Sequence, residues 1–192
     1  MEKSSGKKKI AIFISGRGSN LKSLIKYSNT KKSIIKIVLV ISNNFSAKGL
    51  DYAKKSKIKN IYIKYSNKKN FENRSLKLLK QNNVDLICLA GFMKILSGNF
   101  IKKFYKPILN IHPSLLPKYK GLNTHKRAIK NKEKFSGATV HIVNKKLDAG
   151  KIILQKRVKI LKSDCEKSLQ KKVLKIEHKI YSKAIEKLFT NY

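Results

Sequence analysis

Apolar residues in this chain come in short, nearly continuous runs separated by stretches in which they recur every three or four positions. Runs at 10–15, 34–41, 61–63, 86–89 and 108–111 read as strands, and the run at 34–41 is apolar enough to be buried on both faces. Between them, 20–27, 45–55 and 71–81 carry helical spacing. After a proline-bearing loop come a helix over 124–130 and strands over 136–143 and 152–158, which flank the interval Asn144-Lys-Lys-Leu-Asp-Ala-Gly150. That interval is too long for a two-residue hairpin, so it is expected to be a functional loop or an antiparallel excursion. The alternation of strand and helix predicts an α/β class with a Rossmann-like, mostly parallel twisted sheet and helices on both faces.

The last helix is expected over 164–189, with Ser163 and Glu166 as a capping box. Leu169, Val173, Ile176, Ile180, Ala184 and Leu188 form its apolar stripe. Glu177 falls inside that stripe by helical angle, and a carboxylate placed there needs a partner.

Length and charge narrow the picture. A chain of 192 residues with 41% hydrophobic positions is enough for one domain with a sizeable core, read here as 9–192 after a disordered polar lead-in over 1–8. The formal charge of +36, from 46 Lys and Arg against 10 Asp and Glu, would ordinarily point to nucleic acid. Its distribution points elsewhere. Lysines are spread through every segment, and Arg17, Arg74, Arg127 and Arg157 are the only arginines, so the bidentate donors of specific phosphate and base readout are scarce. No specific nucleic-acid partner is expected. Cys88 and Cys165 have no ligand or CxxC spacing, which implies neither a disulfide framework nor a metal site and makes a reducing cytoplasm the default. The first apolar run stops at Ser15, too short for a signal-peptide core or a membrane span.

Three stretches carry candidate chemistry. In Asn110-Ile-His-Pro-Ser-Leu-Leu-Pro117 the strand period puts Asn110 and His112 on one face, and Pro113 holds His112 extended. An amide able to donate to a developing oxyanion thus stands beside an imidazole able to move a proton. Ser15-Gly-Arg-Gly-Ser-Asn20 joins a strand to a helix, where glycines let backbone approach an anion and free helix N–H groups point at it. It has neither the Lys-Ser/Thr ending of a P-loop nor the G-x-G-x-x-G spacing of a dinucleotide site. Ala90-Gly-Phe-Met-Lys-Ile-Leu96 follows a strand directly, at the sheet edge where α/β ligands bind.

Together with Leu147-Asp-Ala-Gly150, these motifs occur in the order and approximate spacing of the folate-dependent formyltransferases, and the whole set resembles the glycinamide ribonucleotide formyltransferases of purine synthesis. The resemblance implies formyl transfer from 10-formyltetrahydrofolate, a cosubstrate rather than a bound cofactor, to the amine of glycinamide ribonucleotide. It implies a catalytic set of Asn110, His112 and Asp148, with Asp148 raising the pKa of His112. It also assigns Gly18, Ser19, Asn20 and Glu177 to the ribonucleotide, and Lys68, Met93, Lys94, Ile95, Leu96 and Asn110 to the folate. Lys68 and Lys94 stand where the family usually has arginine, and Lys68 cannot make the same bidentate contact with the folate tail. His141 and His178 are assigned to structure or solvent, and His125 to a supporting role. No metal and no membrane are implied, and a monomer or weak homodimer is expected. Two related classes fit less well: methionyl-tRNA formyltransferases carry a C-terminal tRNA-binding module, and formyltetrahydrofolate deformylases an N-terminal regulatory domain.

Overall fold

The structure, a computed structural model, describes residues 6–190, which fall into two compact units divided after Ile108. The first unit alternates β1 (Lys8–Ile14), α1 (Ser19–Ser28), β2 (Ile35–Ser42), α2 (Gly49–Lys55), β3 (Asn60–Tyr62), α3 (Lys68–Gln81), β4 (Leu86–Leu89) and α4 (Gly98–Phe104). Its strands lie in the order β3-β2-β1-β4, and every neighbouring pair is parallel. The apolar runs explain this arrangement. Ile10, Ile12, Phe13, Leu39, Ile41 and Ile87 are all buried, as strands covered on both faces require. Phe13 sits edge-on to Phe71, Phe92 and Phe100 with ring centroids 5.5 to 6.3 Å apart, so α3, α4 and the turn after β4 converge on β1. Full burial of such a ring contributes on the order of 1.5–3 kcal/mol. Strand order reverses at β1, with β2 on one side and β4 on the other. The loops after β1 and β4 therefore diverge at a topological switch point, where open α/β sheets bind ligands.

The second unit contains β5 (Ile108–His112) from Leu109 onward, α5 (Thr124–Lys130), β6 (Phe135–Ile142), β7 (Ile152–Lys159) and α6 (Glu166–Thr190). Here β5 pairs with β6 and β6 with β7, both antiparallel, and α6 packs on β6 and β7. The register sets Asn110 opposite His141 and His112 opposite Thr139. Tyr181, fully buried on α6, donates its hydroxyl to the Leu109 carbonyl at 3.2 Å and so fastens the helix to β5. The interval at 144–150 is the antiparallel excursion expected of it. Gly150 is required there, because a Cβ would lie 1.7 Å from the Ile142 carbonyl oxygen.

Several boundaries differ from the sequence reading. The lead-in ends sooner than residue 8: Lys8 is already in β1, donating its N–H to Ile34 O, while residues 1–5 lie outside the described set. The helix expected over 45–55 starts only at Gly49, because Asn44 folds the preceding segment into a turn by accepting from Ser46 N, and Phe45 is 76% exposed. Helix α4 was not anticipated: its seven residues are too few to show a period, although Ser97 caps it by accepting from Phe100 N. On α6 the Ser163/Glu166 box gives way to Asp164, which accepts from Leu161 N and Ser168 Oγ. Ile176 is half-buried, while Tyr181 and Ile185 join the buried stripe.

Candidate active site

In the first unit the switch-point loops are knotted through Ser15. Its N–H donates to Gly91 O at 3.2 Å, its hydroxyl accepts from Met93 N at 2.8 Å, and its carbonyl accepts from Asn44 Nδ2 at 3.1 Å. The loops after β1, β2 and β4 are thereby held together. Gly18 caps α1 in the left-handed region at φ 71°, which leaves the helix N-terminus open for an anion. Its lack of a side chain has a second cause: a Cβ would meet Gly49 Cα at 2.5 Å, so α1 and α2 approach through two glycines. Ser19 is half-buried and Asn20 is buried in the first turn of α1.

The turn after β4 leaves Met93 64% and Ile95 58% exposed while burying Leu96, so it offers apolar side chains to a ligand. Lys94 lies over the Tyr65 ring at 4.9 Å, an intramolecular cation–π contact. The segment ends on Ser97, whose N–H and hydroxyl both donate to buried Glu72 at 2.6 Å. Lys68 is the exposed first residue of α3, beyond the cap supplied by Asn67.

The second unit brings Asn110, His112 and Asp148 together. Asp148 sits at φ 45° and is 8% exposed, with Oδ2 accepting from Gly121 N at 2.9 Å and lying 3.3 Å from His112 Nδ1. Its Oδ1 accepts from Asn110 Nδ2 at 3.4 Å and stands 3.5 Å from His141 Nε2. Burial pushes the Asp148 carboxyl upward, but the His141 contact, the Gly121 N–H and the neighbouring His112 ring outweigh it and hold the group below the usual aspartate range. Asp148 is an anion at neutral pH.

Asp148 does push the His112 pKa up, as expected, but the net rise and the protonated resting ring expected with it do not follow. Burial is the largest influence and lowers it; the Tyr119 carbonyl and Asp148 push it up without compensating, and His141 and Arg127 lower it further. Removing a ring from water costs the charged form more than a carboxylate at 3.3 Å returns. His112 therefore rests neutral, poised to accept a proton, rather than as a standing imidazolium.

Sequence reasoning also missed His141, which it assigned to structure or solvent. Cross-strand pairing puts it on Asn110, with Nε2 3.3 Å from Asn110 Nδ2, while its Nδ1–H donates to Ile142 O at 3.0 Å. No local signal in the sequence shows this, since it depends on the β5–β6 register. Both amide hydrogens of Asn110 thus face partners at 3.3 and 3.4 Å, long contacts that an approaching oxyanion can replace. Glu177 is buried on α6 as its helical angle predicted. Among the described residues, no group of three or more His, Cys, Asp or Glu side chains is arranged to hold a metal ion.

A Rossmann-type switch point in one unit and an Asn-His-Asp cluster at a strand end in the other define an α/β group-transfer protein. The sequence profile described as Formyl transferase matches residues 8–185, and the chain belongs to that family. It is 42% identical over 182 residues to the phosphoribosylglycinamide formyltransferase of Haemophilus influenzae, covering 93% of this chain and 86% of that one. A crystal structure of phosphoribosylglycinamide formyltransferase from Brucella melitensis superposes with a TM-score of 0.90 at 40% identity, covering 95% of each chain. The trifunctional purine biosynthetic protein adenosine-3 of Bos taurus is 42% identical over 183 residues, 94% of this chain, but the chain spans only 18% of that protein's length.

Proposed function

We propose that the protein transfers a formyl group from 10-formyltetrahydrofolate to the amine of glycinamide ribonucleotide, giving formylglycinamide ribonucleotide and tetrahydrofolate. The observation that carries this reading is the convergence of Asn110, His112 and Asp148 at one strand end. Gly18, Ser19 and Asn20 take the ribonucleotide phosphate at the N-terminus of α1, and Glu177 takes another part of the ribonucleotide. Met93, Lys94, Ile95 and Leu96 line the pterin site, partly through backbone groups, Lys68 meets the acidic tail as a point charge, and Asn110 contributes a polar contact.

In the reaction the substrate amine attacks the formyl carbon and the carbonyl electrons move onto oxygen, where the Asn110 amide donates. The nitrogen that has attacked loses a proton to His112, and Asp148 stabilises the imidazolium as it forms. The bond to folate nitrogen then breaks as the oxyanion collapses, and the proton held by His112 passes to the departing nitrogen. Folate leaves as product, so no bound cofactor is needed.

We read residues 9–192 as one functional domain because the family profile runs across both units. Among the described residues no helix is long and apolar enough to cross a membrane. A cytoplasmic location, no specific nucleic-acid partner, and a monomer or weak homodimer complete the proposal. Purified protein assayed with 10-formyltetrahydrofolate and glycinamide ribonucleotide should release tetrahydrofolate, and methionyl-tRNA should not substitute. Absence of turnover with the ribonucleotide would reject the reading.

A further inference from the structure

We propose that Tyr119 is a positioning residue that fixes His112 as the Nε2–H tautomer and makes Nδ1 the working nitrogen. The inference rests on the reading of His112 as the proton carrier. His112 Nε2 lies 2.8 Å from the Tyr119 backbone carbonyl. Both facing oxygens only accept, but the Tyr119 contact is the hydrogen bond while the Asp148 carboxylate stands off at 3.3 Å, so the neutral ring carries its hydrogen on Nε2 and keeps its lone pair on Nδ1. Nδ1 is the nitrogen that faces Asp148 at 3.3 Å, so a proton arriving there acquires the carboxylate as its counter-ion. The other tautomer would set the Nε2 lone pair against the Tyr119 carbonyl and give up the shorter of the ring's two contacts.

The carbonyl points this way because Tyr119 holds a left-handed backbone, φ 56°, which an L residue adopts at a cost. Its side chain supplies the restraint. The hydroxyl donates to Glu133 Oε1 at 2.8 Å and accepts from Asn131 Nδ2 at 3.0 Å. Lys118 donates to both Glu133 oxygens, at 2.9 and 3.1 Å. The Arg127 guanidinium lies over the Tyr119 ring at 5.0 Å and donates to the Lys120 carbonyl at 2.7 Å, tying down the next residue as well. Together these contacts hold both sides of the peptide whose oxygen meets His112. Lys118, Tyr119, Asn131 and Glu133 line an open cavity of about 570 Å³, so the anchor can be altered without emptying the core.

Two readouts test the lock. In wild-type protein with 15N-labelled histidine, at about pH 8 where imidazole is neutral, NMR should show His112 protonated on Nε2 with Nδ1 bare. Tyr119→Phe removes the hydroxyl bonds and Glu133→Gln weakens them; each should give a mixture of tautomers and lower kcat by roughly 10- to 100-fold, with KM for both substrates nearly unchanged. Glu133→Gln keeps the test open should Tyr119→Phe fold poorly. An Nδ1–H tautomer in the wild type, or both variants with unaltered tautomer and kcat, overturns the inference. The NMR result does not depend on turnover, so it stands apart from the catalytic reading, which fails instead if His112→Asn remains active.

Discussion

At the residue scale, the least expected result is the resting charge of His112. The buried ring lies below the ordinary imidazole value in spite of its carboxylate neighbour, so in the proposed reaction His112 gains its proton during turnover. Asp148→Asn removes one of the two influences that raise the ring's pKa. The His112 pKa should fall further in an NMR titration, and kcat should drop by roughly 100-fold or more, since the amide no longer stabilises the imidazolium. An unchanged pKa with normal turnover would reduce Asp148 to a turn residue. Gly18 illustrates a different constraint. It was a natural place to obstruct phosphate binding, yet a Cβ there strikes Gly49 Cα at 2.5 Å from a backbone at φ 71°. Gly18→Val should therefore lower Tm before substrate binding can be judged. Gly16, with nothing within 4 Å of its Cβ position, is the better probe: Gly16→Ala should fold normally and raise KM for the ribonucleotide if the loop binds it. Equal loss of Tm in both variants would contradict this distinction.

At the scale of elements, the turn between β4 and α4 depends on Glu72. That buried carboxylate on α3 accepts from the N–H and hydroxyl of Ser97, and the same hydroxyl accepts from Phe100 N to cap α4. Glu72→Ala leaves two half-buried donors without their acceptor and should cost about 1–2 kcal/mol in denaturant unfolding. It should also raise KM for the folate more than for the ribonucleotide, because residues 93–96 end on Ser97. Equal effects on the two substrates would detach this joint from folate recognition.

For the molecule as a whole, the charge of +36 and the desolvated histidines set how stability varies with salt and pH. Burial lowers the pKa of His112, His125 and His178 below the ordinary value. As pH falls below about 6.5 the unfolded chain takes up protons before the folded chain does, so this contribution is complete above that value. It is lost as pH drops through the lowered folded values. Asp148, Asp85 and Asp164, the last at about 2, also have depressed values and add a further loss as pH falls below the unfolded carboxylate range of about 4. Tm should therefore decline steadily from neutral pH into acid, and a flat profile between about pH 7 and pH 5 would contradict the histidine assignments. Added salt should raise Tm by screening lysine repulsion and should release any nucleic acid held by charge alone.

Family resemblance singled out Asp148 as the partner of Asn110 and His112, while local pattern in the sequence was enough for the α/β class, most of the elements and the glycine-rich and strand-end motifs. These features are local: apolar period, glycine and proline placement, and side-chain alternation all act within a few residues. Which partners those groups meet depends on how the chain folds around them. His141 reaches Asn110 through the β5–β6 register, and Gly121 N and Tyr119 O reach Asp148 and His112 from a loop whose backbone contacts carry no side-chain signature. The protonation of His112 followed the same rule. A carboxylate neighbour is legible in a motif, but the desolvation that outweighs it is set by everything folded around the ring.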